Sequence, residues 1–345
     1  MEEAQRLLYG AVAAAMDCDR RLDELAIVPD GQLAALGAGS AGFAVVETGA
    51  KRVMVITRPS LGRLWAAGLR EFRELRSHTS TAGARADGPR RMHHATRAIL
   101  LANTDHYTAW NARKRHLLEP GLRTLDDELS LVDLLLSKHP KSGEAWCHRR
   151  WVLSRMQSSA PAAGKMAAVA AHEMAVCTAA ARAYPRNYYA WTHRYWALSR
   201  LSPELVAAEC DAMQQWAAIN TSDHAGLFYR GSAVLLAASE SQPARVVWQL
   251  AWEQGTELQA RYPGHESMWR HRRWLAWIAH RHAQSLGPVA VDREAELQFS
   301  ESRERVAMAE SVKDGLGERE QRQWQREARC ASCYSRWARV ALAPG

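Results

Sequence analysis

A short motif, Ala-Trp-x-x-Arg, recurs along the chain, and this recurrence limits the possible folds more than any local propensity does. A unit of this size cannot bury its apolar face alone and must stack on copies of itself. The first copy is Asp105-His106-Tyr107-Thr108-Ala109-Trp110-Asn111-Ala112-Arg113. It is followed by Lys141-Ser142-Gly143-Glu144-Ala145-Trp146-Cys147-His148-Arg149 and Arg186-Asn187-Tyr188-Tyr189-Ala190-Trp191-Thr192-His193-Arg194. A fourth copy, ending in Leu227-Phe228-Tyr229-Arg230, has Leu in the Trp slot, and a fifth returns as Met268-Trp269-Arg270-His271-Arg272. Positions 110, 146, 191, 227 and 269 stand 36, 45, 36 and 42 residues apart. The two long intervals contain Ser158 to Gly164 and Ser239 to Pro243, both of which read as loop insertions, so the underlying period is about 36.

Each unit reads as two helices. Trp110, Arg113 and Leu117 fall at i, i+3 and i+7, as do Trp146, Arg149 and Leu153, and Trp191, Arg194 and Leu198. Each set therefore shares one helical face. Breakers close the first helix: Glu119-Pro120-Gly121 in the first unit, and Ser202-Pro203 in the third, where Ser202 suits an N-cap and Pro203 the first turn that follows. The second helix, exemplified by Asp127 to Ser137, ends at a proline turn; these are His139-Pro140, Tyr184-Pro185 and Tyr262-Pro263. The expected fold is all-α, an α-α superhelix or solenoid of helical hairpins.

Three segments follow. Residues 1–90 form an N-terminal segment with a small hairpin over Ala44–Val46 and Val53–Ile56, a helix near Leu61 to Arg76, and a flexible linker from Ser77 to Pro89. Residues 91–290 hold the five repeats, and 291–345 supply capping helices broken near Gly315-Leu316-Gly317.

Composition narrows the class. The chain has 345 residues with 47% hydrophobic and 24% charged side chains, which excludes pervasive disorder and a small disulfide scaffold. Its net charge of +8 arises from 45 basic and 37 acidic residues, and 39 of the basic residues are Arg, a side chain suited to planar, partly buried contacts. No basic run supports nucleic-acid binding, so an Arg-rich RNA-binding solenoid is a remote alternative. Six Cys are scattered, with one Cys330-x-x-Cys333 pair that reads as ordinary thiols more readily than as a metal or redox site. No metal site is expected on this chain. An acidic start, Met1-Glu2-Glu3, and no apolar run near the ~18 residues that span a bilayer suggest a cytoplasmic protein that is not integral to a membrane.

The chain has 14 Trp but only 4 Phe, and the repeat explains the excess. Trp110, Trp146, Trp191 and Trp269 hold one slot; Trp151, Trp196 and Trp274 hold a second, five residues on. The Trp ladder is expected to pack between helix pairs. Arg113, Arg149, Arg194, Arg230 and Arg272 share that buried face and need acceptors. Helix-end carbonyls or acidic residues of the next repeat would supply them, the alternative being a surface for a partner or anion. The turns before each Trp are the expected place for function. Lys141, Arg186 and Asp105 occupy the slot five before the Trp, and Tyr107, Gly143 and Tyr188 the slot three before it. Lys141 reads as a solvated charge or as a contact for a phosphorylated ligand.

The array resembles the protein prenyltransferase α-subunit repeat, Asn-Tyr-x-x-Trp-x-x-Arg, over roughly residues 92–285. Asn187-Tyr188-Tyr189-Ala190-Trp191-Thr192-His193-Arg194 matches it fully, and Tyr107 to Arg113 matches from the Tyr onward. Within the family the chain is most similar to the divergent third-type α subunits. The resemblance implies an α subunit that wraps around a β subunit, of the Rab geranylgeranyltransferase kind, which carries the catalytic zinc and the isoprenoid pocket. It also implies an activity: transfer of an isoprenyl group, geranylgeranyl by preference, from isoprenyl diphosphate to a C-terminal cysteine of a SNARE- or Rab-like trafficking protein, with no activity without the β subunit. In that scheme a zinc-bound thiolate attacks C1 and cationic groups stabilise the leaving diphosphate. Lys141 matches the family's diphosphate-side Lys by repeat number and by distance from the Trp. Asn187 and Tyr188 match its substrate-side pair, with Arg186 and Tyr107 beside them. Ser142-Gly143 departs from the Asn-Tyr pattern. The alternative is a helical-repeat scaffold that kept the fold without the chemistry.

Overall fold

A computed structural model describes residues 2–18, 21–35, 42–77, 87–118, 124–158, 163–240, 244–286 and 291–343. The chain divides into two compact units, Met1–His193 and Arg194–Gly345.

The first unit opens with α1 (Glu2–Asp17), β1 (Glu24–Val28), α2 (Asp30–Ala35), β2 (Phe43–Thr48), β3 (Lys51–Thr57) and α3 (Arg58–Ser77). The expected hairpin is present: β2 and β3 pair antiparallel with Val45 opposite Met54, and Gly49 turns the chain at a φ of 60°. A third strand was not anticipated. β1 pairs parallel with β3, Leu25 opposite Met54, giving the order β1-β3-β2. Met54, Val55 and Ile56 are buried on this central strand, which is why its apolar residues run on without alternation. The all-α expectation thus holds for the repeats, whereas the N-terminal segment adds a small sheet.

Helices α4 (Gly88–Ala102), α5 (Tyr107–His116), α6 (Leu125–Lys138), α7 (Gly143–Ser158) and α8 (Ala163–Ala183) follow, then α9 (Tyr188–Leu198), in which the unit boundary falls. Pro89, read as linker, lies in the first turn of α4, where its missing N–H costs nothing. Most of that linker, the Glu119-Pro120-Gly121 breaker, and most of both loop insertions lie outside the described residues. Thr124 and Asp127 form a capping box on α6, each side chain bonding the other's backbone N–H, and His139 closes that helix as expected of the proline turn. The sheet seats against α6: Ser137 Oγ accepts a 3.0 Å bond from Leu25 N, and Arg21 ion-pairs with Asp133.

The second unit contains the end of α9, then α10 (Pro203–Ile219), α11 (His224–Glu240), α12 (Ala244–Arg261), α13 (Glu266–Arg281), α14 (Ala283–Leu286), α15 (Arg293–Ser311) and α16 (Glu318–Ala341). Ser202 and Pro203 start α10 as expected, although the Ser202 hydroxyl makes no capping bond. The last two helices pack against each other; α15 supplies Glu296 to Arg272 of α13 and so completes the fifth hairpin, which leaves α16 as the cap.

Trp110, Trp146, Trp191, Leu227 and Trp269 are all buried, so the first ladder is packing, as expected. The structure also gives the reason for indole. Trp110 donates its ring N–H to Thr104 O at 2.8 Å, and Trp146 donates to Pro140 O at 2.9 Å, each bonding the carbonyl six residues back in its own turn. In the fourth copy, Leu227 has no donor to offer. There the corresponding carbonyl, Thr221 O, is bonded by the Ser267 hydroxyl instead. Replacing Trp110 with Phe keeps most of the packing and removes the donor. Chemical denaturation should then show a loss of about 1–3 kcal/mol, the range for an orphaned buried acceptor; an unchanged midpoint would contradict the role given to the N–H.

Candidate functional site

Two sets of side chains stand out: a buried chain of charges behind each Trp, and an exposed row on the turns before it. The buried set forms the frame. Arg113 makes a two-pronged bond to Glu128, Nε to Oε1 at 2.7 Å and Nη2 to Oε2 at 2.5 Å. Arg149 does the same to Glu173 at 2.7 Å on both prongs, Arg194 to Glu209 at 2.7 and 2.9 Å, and Arg272 to Glu296 at 2.8 and 2.7 Å. In each case the carboxylate comes from the second helix of the Arg's own pair, not from the next repeat as expected. The Arg ladder is therefore an internal clamp. Parallel fork-to-fork bonding is the strong geometry for this pair and also fixes the helix-helix distance.

The next repeat reaches the same carboxylate through the residue two after its Trp slot. His148 Nε2 lies 2.8 Å from Glu128 Oε1, His193 Nε2 lies 2.7 Å from Glu173 Oε2, and Tyr229 Oη donates to Glu209 Oε1 at 2.8 Å. His148 also stacks on Trp110 at 4.3 Å, and His193 sits 4.9 Å from the Trp146 ring. At the end of the array α16 takes the part of the absent next repeat. Tyr334 Oη donates to Glu296 at 2.7 Å, and Gln323 donates to Pro263 O at 2.8 Å. Glu327, also on α16, accepts from Trp269 Nε1 at 3.0 Å and from Gly264 N at 2.7 Å.

Burial and bonding pull these groups in opposite directions. For Glu173, burial pushes the pKa up, but the His193 bond and the Arg149 charge outweigh it and hold the carboxyl at about 2. Glu128 is held still lower against the same burial, by Arg113 and His148. Burial lowers the pKa values of His148 and His193 more than their Glu partners raise them, so the imidazoles are neutral donors. Both shifts give stability that is lost on acidification. A His with a lowered folded pKa opposes folding once the pH drops below its unfolded value of about 6.5. A Glu with a depressed folded pKa loses its contribution as the pH falls from about 4.5 towards 2. The melting temperature should therefore begin to fall below about pH 6.5 and fall more steeply below 4.5. Glu173→Gln should lower stability at pH 7 and flatten the lower part of that profile; an unaltered slope would refute the assignment.

The fourth repeat lacks the carboxylate. Arg230 meets Gln254, Nη2 to Oε1 at 2.6 Å, and its Nε and Nη1 have no partner among the described residues. Burial pushes its pKa down to about 10. Nearby His271, wholly buried, is pushed well below its usual value by burial and by Arg230, and donates Nδ1–H to Leu227 O. Gln254→Glu should give Arg230 a charge-assisted partner and raise stability by about 1 kcal/mol, the gain being reduced because the Gln254 amide also donates to Gln214 O at 2.9 Å and a carboxylate cannot. A destabilised variant would mean that the local packing, not the missing charge, sets this repeat.

The exposed row runs along the turns. Lys141 is exposed, its Nζ 4.3 Å from the centre of the Tyr184 ring, and among the described residues it forms no ion pair. Arg186, in the same slot one repeat later, is exposed and holds a left-handed φ of 60°, a conformation that strains a side chain other than Gly. Tyr107 and Tyr188 are about two-thirds exposed, at 63% and 66%. Asn187 differs. It is fully buried, donates Nδ2–H to Pro140 O at 2.6 Å and accepts from Ala190 N at 3.3 Å, so its amide caps α9 and ties it to the preceding turn.

The Ser142-Gly143 departure has a physical basis. Ser142 Oγ caps α7 by accepting from Ala145 N and donates to Asp105 at 2.6 Å, as Asn187 caps α9. A Cβ on Gly143 would stand 3.0 Å from Tyr189, whose ring occupies the place a Tyr side chain would need. Sequence reasoning missed Glu128, Glu173, Glu209 and Glu296. Their distance from the Arg varies between 15 and 24 residues, but the step from the carboxylate to the next repeat's His or Tyr is 20 in all three cases. That constant interval was the available signal.

The molecule is thus a helical-repeat protein whose hairpins are held by buried Arg-carboxylate forks, with a basic and aromatic edge on the turns. Residues 125–156 and 170–201 match the model of the protein prenyltransferase alpha subunit repeat. It is 34% identical over 242 residues to protein prenyltransferase alpha subunit repeat-containing protein 1 of Danio rerio, covering 56% of this chain and 57% of that one. It is 30% identical over 235 residues to the Homo sapiens protein of the same name, covering 54% and 58%. A shorter stretch of 71 residues is 42% identical to geranylgeranyl transferase type-2 subunit alpha 1 of Arabidopsis thaliana, covering 18% and 10%. The chain spans somewhat more than half the length of the repeat-containing relatives it matches. Among the described residues no helix is long and apolar enough to cross a membrane.

Proposed function

We propose that the chain acts as the alpha subunit of a heterodimeric protein prenyltransferase, of the third geranylgeranyl type. Its partner would be a beta subunit of the Rab geranylgeranyltransferase kind, and its substrate a SNARE- or Rab-like trafficking protein with a C-terminal cysteine. The observation that carries this reading is the exposed Lys141 on the turn between α6 and α7, held over Tyr184 and displayed by a clamped repeat of the matched family. An unpaired ammonium on a rigid edge suits the leaving diphosphate of an isoprenyl donor, where it would stabilise developing negative charge. Tyr188 and Tyr107 offer exposed aromatic surface on the same row, and Arg186 a second cation. Asn187 would act indirectly, by fixing the turn that presents Arg186 and Tyr188.

Among the described residues no group of three His, Cys, Asp or Glu side chains is placed to hold a metal. The zinc of this reaction would be the partner's. A second reading, a scaffold without catalysis, is favoured by one observation: the amide of Asn187 is engaged within the fold, leaving one fewer side chain for a substrate.

Co-expression with prenyltransferase beta subunits separates the two readings. An alpha subunit should co-purify with a beta subunit and support transfer of labelled geranylgeranyl to a cysteine-terminated substrate. Lys141→Ala should leave the heterodimer intact and reduce kcat by roughly a hundred- to a thousandfold, the range for removing one electrostatic contact to developing charge. A scaffold would give no transfer, with or without Lys141.

A further inference from the structure

A second constellation lies within the second unit, and no part of the prenyl-transfer reading uses it. Helices α13 and α16 face each other across an open cavity of about 920 Å³. Its floor is aromatic. Phe228 stacks on Trp274 at 5.6 Å and 21°, and Trp274 on Trp277 at 4.8 Å and 12°, with Trp337 contributed by α16. This floor is rigid because Trp274 lies against the backbone of α11 at Gly231. A Cβ there would sit 1.9 Å from the indole. The indole N–H of Trp274 is hidden from solvent and has no partner among the described residues.

The walls are cationic. Arg270 and Arg273 come from α13, and Arg326 and Arg329 from α16, all exposed. Arg273 lies over the Trp337 ring at 5.0 Å, a contact that uses the face of a guanidinium and not the N–H edges by which it bonds an anion. The one carboxylate in the lining, Glu266, pairs with Arg270 at the surface, where such a pair contributes little. Four guanidiniums therefore surround an indole floor with a single opposing charge.

The spacing on each helix is regular. Positions 270, 273, 274 and 277 share one face of α13, and 326, 329, 330, 333 and 337 share one face of α16. The α13 face extends roughly 20 Å from the Gly264 turn to Trp277. Cations on both walls and an apolar floor between them complement a helix with an apolar stripe flanked by acids.

We propose that the groove between α13 and α16 docks an acidic amphipathic helix of a partner protein, its carboxylates on the four Arg side chains and its apolar stripe on Trp274, Trp277 and Trp337. Charge complementarity commits the groove to an anionic occupant, and its length and two-walled form to a helical one. This inference is independent of prenyl transfer and would stand if that activity were absent.

The test is a selection of about 16-residue displayed peptides on the full chain, with counter-selection on an Arg273→Glu/Arg329→Glu variant. Both substituted side chains are exposed, and an unchanged melting curve verifies the fold. The expected result is a set of binders with Asp or Glu repeated at helical spacing beside Leu, Phe or Trp. Their affinity by fluorescence anisotropy should fall about tenfold or more in the double variant and weaken with salt. Bound peptide should also protect Cys333, an exposed thiol in the lining, from alkylation. A selection without an acidic helical consensus, or binders unaffected by the double variant, would overturn the proposal. So would protection of Cys333 by anionic phospholipid vesicles or an RNA oligonucleotide in place of any peptide.

Discussion

The buried fork between an Arg on the first helix of a pair and a carboxylate on the second is the interaction on which the rest depends. A guanidinium and a carboxylate withdrawn from water are each costly alone, and together they are tolerated only in good geometry with the remaining bonding positions filled. Glu173 shows how that is met: one oxygen accepts from Arg149 Nη2, the other from Arg149 Nε and from His193 of the next repeat, while Arg149 Nη1 reaches Asp133 of the repeat before. One carboxylate thereby joins its own hairpin, and the same cluster binds the neighbours on either side. Apolar packing brings helices together without fixing their register; the forks specify it.

That rigidity has a consequence for function. The turns that carry Tyr107, Lys141, Arg186 and Tyr188 are short and lie between helices whose spacing the forks fix. Their N-cap side chains, Ser142 and Asn187, are bonded both to their own helix and to the preceding turn. Exposed cations and phenols on such an edge are placed by the fold, so a ligand meeting them would not have to order them, which would lower the entropic cost of recognition. Asn187 illustrates a general hazard of carrying site residues over by motif. A side chain in the right sequence slot can act on the site only by holding its neighbours in place.

Much of the frame was legible in the sequence. Indole at positions 110, 146, 191 and 269 marked the buried seam, Pro140, Pro185 and Pro263 marked the reversals, and Ser202-Pro203 marked a helix start. The acidic half of the forks was legible only through the constant step of 20 residues to the next repeat's His or Tyr, because its distance from the Arg is not fixed. It is 15 residues from Arg113 to Glu128 but 24 from Arg149 to Glu173, where the Arg and Glu lie deeper within their helices. Strand β1 escaped notice since its partner β3 lies across an intervening helix and strand, and five residues carry little periodicity. The aromatic groove of α13 and α16 required the fold as well: Trp274 and Trp337 are brought together only by the closing helix. Leu227, which departs from the motif in the fourth copy, is matched by Ser267, whose hydroxyl makes the bond to Thr221 O that a Trp would have made.

The most direct test of the fork as the organising interaction is a double-mutant cycle at Arg149 and Glu173, read by chemical denaturation of Arg149→Met, Glu173→Leu and the combined variant. If the fork holds the repeats, each single change strands a buried charge and costs about 3–5 kcal/mol, whereas the double change removes both charges and is far less damaging than the sum, giving a coupling of several kcal/mol. Losses that simply add, with coupling near zero, would contradict the account.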